Sequence, residues 1–227
     1  MNHIKHIFFD LDHTLWDFET NSDIAFEAIF KKYQVNTSVD KFLNYYRSIN
    51  ENYWKLYRDE KITKEELRIG RLRDAFAKIK YKVDLELIDN LAVDYIEYLP
   101  KNNQLFEGTF DILDHLKPNY KMHIITNGFN EVQFKKIENS GLNHYFDKII
   151  TSEEAGVKKP NPIIFEYALQ QTNAISSESI MIGDNWEADI MGAKNAGFDV
   201  IFCNFNSKPV SENIKSVTNL LQIKQFL

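Results

Sequence analysis

After Gly108 the chain settles into one repeating texture. Short apolar runs, MHIIT at 122–126, KIIT at 148–151, IMIGD at 180–184 and VIFCN at 200–204, alternate with segments of helical character near 109–117, 130–139, 162–171 and 187–196. Strands that alternate with helices pair in parallel through crossover connections, which selects an α/β sheet with helices packed on it. The punctuation agrees: Asn161 followed by Pro162 reads as an N-cap with proline at the first helical position, and Gly141 and Gly197 stand just past two helix ends. The opening run, Ile4–Phe9, is as apolar as the later ones and joins the same sheet.

Between about Phe18 and Pro100 the texture is different. There is one glycine, Gly70, and no proline before Pro100; Phe42, Tyr45, Tyr46, Ile49, Tyr53, Leu56 and Tyr57 recur at intervals of three and four. Thr63 with Glu66 forms a capping box that starts a further helix. The expectation is therefore a Rossmann-like parallel-sheet core from 1–17 and 101–227, with an inserted α-helical domain over 18–100. The length of 227 residues, 44% hydrophobic, suffices for one such core and a small satellite.

Charge and cysteine usage narrow the function. The formal net charge is −6 and the 27 basic residues form no long block, so nucleic-acid polymers and anionic membranes are not expected partners. A lone cysteine, Cys203, excludes an internal disulfide and a cysteine-clustered zinc site. The first nine residues are too short an apolar run for a signal peptide, and Asp10 interrupts them, so the expected location is cytoplasmic.

In an open parallel sheet, ligands bind outside the carboxyl ends of the strands. Those ends carry Asp10 with Asp12, then Thr126 with Asn127, then the loop EEAGVKKPNP with Lys159, then Asp184 with Asp189. Residues two apart on an extended chain point the same way, so Asp10 and Asp12 face one small volume. Carboxylates gathered at one point become tolerable around a hard divalent cation, and oxygen ligands suit Mg²⁺. The chemistry that fits is phosphoryl transfer. One carboxylate attacks phosphorus, another protonates the leaving oxygen and later activates water, and Thr126, Lys159 and backbone N–H groups including that of Asn127 hold the phosphoryl oxygens.

The runs DLDHT at 10–14, IITNG at 124–128, KKPNPIIF at 158–165 and GDNWEAD at 183–189 resemble, in order, the four motifs of the haloacid dehalogenase superfamily. The resemblance implies Asp10 as nucleophile, Asp12 as acid/base, Thr126 as the hydroxyl of the second motif and Lys159, rather than Lys158, as the lysine of the third. It implies that Asp10, Asp12 and Asp184 hold Mg²⁺, with Asp189 supporting the metal's water or Lys159, and that the inserted helices form a cap over the substrate. More narrowly, FFDLDHTLWDF, TNGF, SEEAGVKKPN and FEYAL resemble the noncanonical pyrimidine 5′-nucleotidase branch. The expected substrate is then a small phosphorylated metabolite, a pyrimidine nucleoside 5′-monophosphate first.

The alternatives within the superfamily are a sugar-phosphate or phosphoglycolate phosphatase and a phosphomutase. A dehalogenase has no use for Asp12, because halide leaves unprotonated. A receiver-like signalling domain is about half this length and has no helical insertion. His13 has no spaced histidine partner and reads as a loop residue; Tyr45, Tyr46, Tyr53, Trp54 and Tyr57 read as core of the insertion. Trp16 and Phe18, at the exit of the first motif, read either as rings that stack on a nucleobase or as hinge packing.

Overall fold

The structure is a computed structural model that describes residues 1, 3–207, 209 and 214–227. It divides into two compact units, Met1–Phe18 with Asn103–Leu227, and Glu19–Asn102.

The first unit is built on six strands, β1 (His6–Phe9), β2 (Lys121–Thr126), β3 (Lys148–Thr151), β4 (Ser179–Gly183), β5 (Asp199–Cys203) and β6 (Lys215–Val217). They lie in the order β3-β2-β1-β4-β5-β6 and every pairing is parallel. The order reverses at β1, where the chain departs to β2 on one side and β4 lies on the other; this is the switch point at which such sheets bind ligands. Both faces are covered. Phe8, Ile125, Ile150, Met181, Val200 and Phe202 pack with Ile164, Phe165 and Ala168 from the helix Pro162–Thr172. Ile7, Phe9, Ile124, Ile182 and Ile201, of opposite parity along their strands, are also fully buried.

The helices follow their capping signals. Asn161 accepts from the Ile163 N–H with Pro162 next in line, and Gly141 and Gly197 adopt φ +73° and +85°. One expectation changes. The helix read over 187–196 is a π-helical turn, Trp186–Met191, followed by a short α-helix, Gly192–Asn195. Asn185 caps the turn by accepting from the Ala188 N–H, and its own N–H donates to Asp189 Oδ2 at 3.0 Å. The added residue per turn carries Asp189 back toward the strand end.

The second unit is helical: Val39–Arg58, Lys64–Lys78, Leu85–Tyr98 and most of Phe18–Lys32. The Thr63–Glu66 capping box is present in both directions. An aromatic cluster of Phe26, Phe30, Phe42, Tyr46, Phe76 and Tyr95 fills the interior, with ring centroids from 4.6 to 6.2 Å apart. Tyr46 and Tyr57 are core as expected, whereas Tyr45 is 45% exposed.

At the opposite end of the sheet from the switch point, His6 and His123 sit side by side, Nδ1 to Nε2 at 3.1 Å, both buried. Burial, with His6 and nearby lysines adding, pushes the His123 pKa down to about 3. Unfolding frees both rings to take protons near pH 6.5, so the unfolded chain binds more protons between about pH 6.5 and 3. The pair's contribution is complete above pH 6.5 and is lost as pH falls; for His123 alone it is on the order of a few kcal/mol. Urea unfolding as a function of pH checks this: His123→Leu is expected to flatten the acid limb, and an unchanged slope would contradict the assignment.

Candidate active site

Four strand ends converge at the switch point. The β1–β4 ladder continues one residue past β1, because the Asp10 N–H donates to Ile182 O at 2.9 Å, and this fixes the Asp10 backbone beside Asp184. Asp10, Asp184 and Asp189 each offer a carboxylate oxygen within 4.8 Å of the others. Lys159, itself buried, reaches into the group: its Nζ donates to Asp10 Oδ1 at 2.6 Å and to Ile125 O at 2.6 Å, and lies 2.8 Å from Asp189 Oδ1 as an ion pair without hydrogen-bond alignment. Gly183 permits this closeness, since a Cβ there would collide with the Asp189 carboxylate.

Electrostatically the group is under-neutralised. Burial drives the Asp10 pKa well above the usual carboxylate range; Lys159 opposes this, and Asp189 and Asp184 add to it. Burial, reinforced by Asp189, raises Asp184 to about 8. Burial works against the charged form of Lys159, but Asp10 and Asp189 outweigh it and hold its pKa above the ordinary value. Three carboxylates against one ammonium leave a formal charge of −2, which one divalent cation would balance. The donors are oxygens only, a set that suits Mg²⁺.

The other residues expected at the site are placed as follows. The Thr126 hydroxyl accepts from the Gly128 N–H at 3.1 Å and from Gln133 Nε2 at 2.7 Å. Both lone pairs are then engaged, which leaves its proton to donate. The Asn127 side chain is spent on the loop: its Nδ2 donates to Lys159 O at 3.0 Å and its Oδ1 accepts from the Lys159 N–H at 2.8 Å. It fixes the lysine backbone. Asp189, expected to support the metal's water or Lys159, pairs with Lys159 at 2.8 Å and also lies within the carboxylate group. Asp12 does not: its carboxylate turns to Gln133 and Lys136.

Three residues were missed by the sequence reading. Thr14, fully buried, donates to Asp184 Oδ1 at 3.3 Å. Gln133 and Lys136 come from the helix Asn130–Asn139 that follows β2. Their signal was present: both lie on the face that Val132 and Ile137 bury, where an apolar pair would be ordinary. The choice left open for Trp16 is decided here, since the ring is fully buried and Lys136 Nζ stands 4.1 Å from its centroid. Trp16 is packing. Phe18 is buried too, with its ring 6.2 Å from Trp16 and 4.9 Å from His13.

The family model for haloacid dehalogenase-like hydrolases matches residues 7–203. Among curated proteins, the pyrimidine 5′-nucleotidase PynA of Streptococcus pneumoniae is 35% identical over 88% of this chain and 84% of its own length. The pyrimidine 5′-nucleotidase YjjG of Escherichia coli is 33% identical over 97% of this chain and 96% of its own. Among solved structures, the HAD-hydrolase YfnB of Bacillus subtilis, determined with magnesium bound and described as revealing interdomain movement, superposes with a TM-score of 0.88 at 27% identity, covering 99% of this chain and 98% of that one. No helix among the described residues is long and apolar enough to cross a membrane.

Proposed function

Since the chain belongs to the haloacid dehalogenase-like hydrolase family, we propose that it is a Mg²⁺-dependent phosphatase of small phosphomonoesters, with pyrimidine nucleoside 5′-monophosphates as its substrates. The observation that carries the phosphatase reading is the group of three carboxylates within 4.8 Å, threaded by the buried Lys159. The substrate class rests on similarity to the two pyrimidine nucleotidases.

Asp10, Asp184 and Asp189 are the residues that would hold or support the metal, which when bound neutralises charge on the acids and on the phosphoryl oxygens. An Asp10 carboxylate oxygen attacks phosphorus, the bond from phosphorus to the leaving oxygen breaks, and Asp12 gives that oxygen its proton. Thr126, through its unused proton, and Lys159 bind the phosphoryl oxygens as charge spreads over them. In the second half Asp12 takes a proton from water, the water oxygen attacks phosphorus, and the bond to Asp10 breaks to release phosphate. In this reading the helical unit, Glu19–Asn102, is the family's cap domain.

Phosphate release across pyrimidine and purine monophosphates, hexose phosphates and phosphoglycolate tests the substrate. The highest kcat/KM is expected on a pyrimidine monophosphate; a higher value on phosphoglycolate or a hexose phosphate would overturn the nucleotidase reading. Mg²⁺ is expected to raise the thermal midpoint of the parent and to leave that of Asp184→Asn nearly unmoved. Equal shifts in both proteins would remove Asp184 from the metal site.

A further inference from the structure

Lys136 is a lysine buried to 1% exposure in an α/β core, and Gln133, one helical turn earlier, is buried to the same degree. Residues three apart share a helix face, so both side chains leave the same side of Asn130–Asn139. Both end on Asp12. Lys136 Nζ donates to Asp12 Oδ1 at 2.5 Å, and Gln133 Nε2 donates to Asp12 Oδ2 at 3.0 Å. A carboxylate only accepts, so the amide orientation of Gln133 is fixed by its partner. Each oxygen of one carboxylate therefore has its own buried donor.

The donors are themselves fixed. The Lys136 ammonium is held over the Trp16 ring, 4.1 Å from its centroid, with the Phe18 centroid at 5.2 Å. Gln133 also donates to Thr126 Oγ1 at 2.7 Å and lies against Gly128, where a Cβ would strike its amide. A desolvated ammonium and a desolvated amide are costly to keep inside a core. Part of that cost is offset by the hydrogen bonds to the Asp12 carboxylate and to Thr126, and by the aromatic rings under the ammonium.

We propose that Lys136 and Gln133 are positioning residues for Asp12: together they fix the direction of its carboxylate for proton transfer to and from the leaving oxygen and the attacking water. Gln133 further ties the proton-transfer group to Thr126, so that the residue that moves protons and the residue that binds the phosphoryl group keep one spacing. This rests on the proposed role of Asp12 as acid/base.

The test compares two alkyl esters, uridine 5′-monophosphate and glycerol 3-phosphate, whose leaving oxygens need a proton, with p-nitrophenyl phosphate, whose leaving group does not. In Lys136→Met and Gln133→Met, kcat/KM on the alkyl esters is expected to fall at least about tenfold further than on p-nitrophenyl phosphate, because kcat/KM reports phosphoryl transfer to Asp10, whereas release of phosphate from Asp10 is common to all three esters. Lys136→Arg is expected to restore most of the alkyl-ester rate. In an Asp12→Asn background neither substitution should cost anything more. A general packing defect would instead lower all rates alike and add to the Asp12→Asn loss. Should Lys136→Met not fold, Gln133→Met carries the same comparison.

If the leaving-group split is seen in Asp12→Asn but not in Lys136→Met or Gln133→Met, the positioning role is overturned while the phosphatase stands. Faster turnover in either variant overturns it too, since the contacts would then restrain Asp12 unproductively. A parent that hydrolyses none of the three esters overturns the phosphatase reading, and this inference with it.

Discussion

Asp10→Asn is expected to abolish turnover at every pH, by roughly 10⁵-fold or more, because an amide oxygen forms no stable bond to phosphorus. The same substitution is expected to leave the metal-free protein at least as stable as the parent. Asp10 is buried, and that burial, with Asp189 and Asp184 nearby, disfavours its charged form. A neutral amide removes this conflict and can still accept from Lys159. Loss of activity without loss of thermal midpoint is the combination to look for. A variant that keeps a tenth of parental kcat would dismiss Asp10 as nucleophile, and one that melts far below the parent would mean that the Asp10 charge is structurally required.

Lys159→Met is expected to fail in both respects. Its ammonium is the buried cation shared by Asp10 and Asp189, and Asn127 holds its backbone from both sides. Removing one partner of a buried pair leaves uncompensated charge, a loss of about 3–5 kcal/mol. Removing a phosphoryl-oxygen donor costs roughly 10²–10³-fold in kcat. Mg²⁺ is expected to recover part of the stability, by neutralising the acids, and none of the rate. Urea unfolding with and without Mg²⁺ separates the two effects; a variant as stable as the parent in both conditions would show that Lys159 is no structural counter-ion.

The sheet was legible because its strands are buried on both sides and therefore written as plain apolar runs. MHIIT, KIIT, IMIGD and VIFCN each fall within one residue of an observed strand. The helices were legible where a cap or a left-handed glycine marked an end, as at Asn161, Gly141 and Gly197. The strand Lys215–Val217 was not, since it has three residues, of which only Val217 is buried, and it owes its form to pairing with Cys203 and its neighbours. The π-helical turn at Trp186–Met191 was also hidden, because its extra residue is set by the Asn185–Asp189 contacts rather than by any periodicity.

The candidate site divides in the same way. Asp10, Thr126, Lys159 and Asp184 could be found because strand ends in a parallel sheet converge by topology alone. Gln133 and Lys136 lie on the buried face of a helix, where residue type argues for solvent and position argues for the core; only the position of Asp12 resolves the conflict. Asn127 reads in sequence as a phosphate-loop residue, but its side chain turns to the Lys159 backbone, a partner 32 residues away.

The central claim is that catalysis passes through a covalent phosphoryl group on Asp10. Asp12→Asn removes the base that releases it, so the intermediate should persist during turnover of p-nitrophenyl phosphate. Acid quenching followed by borohydride reduction converts an aspartyl-phosphate to homoserine, which peptide mass spectrometry locates. The account predicts homoserine at position 10 only, dependent on both substrate and Mg²⁺. Homoserine at position 12, 184 or 189, or none anywhere in an enzyme that is still turning over, would contradict it.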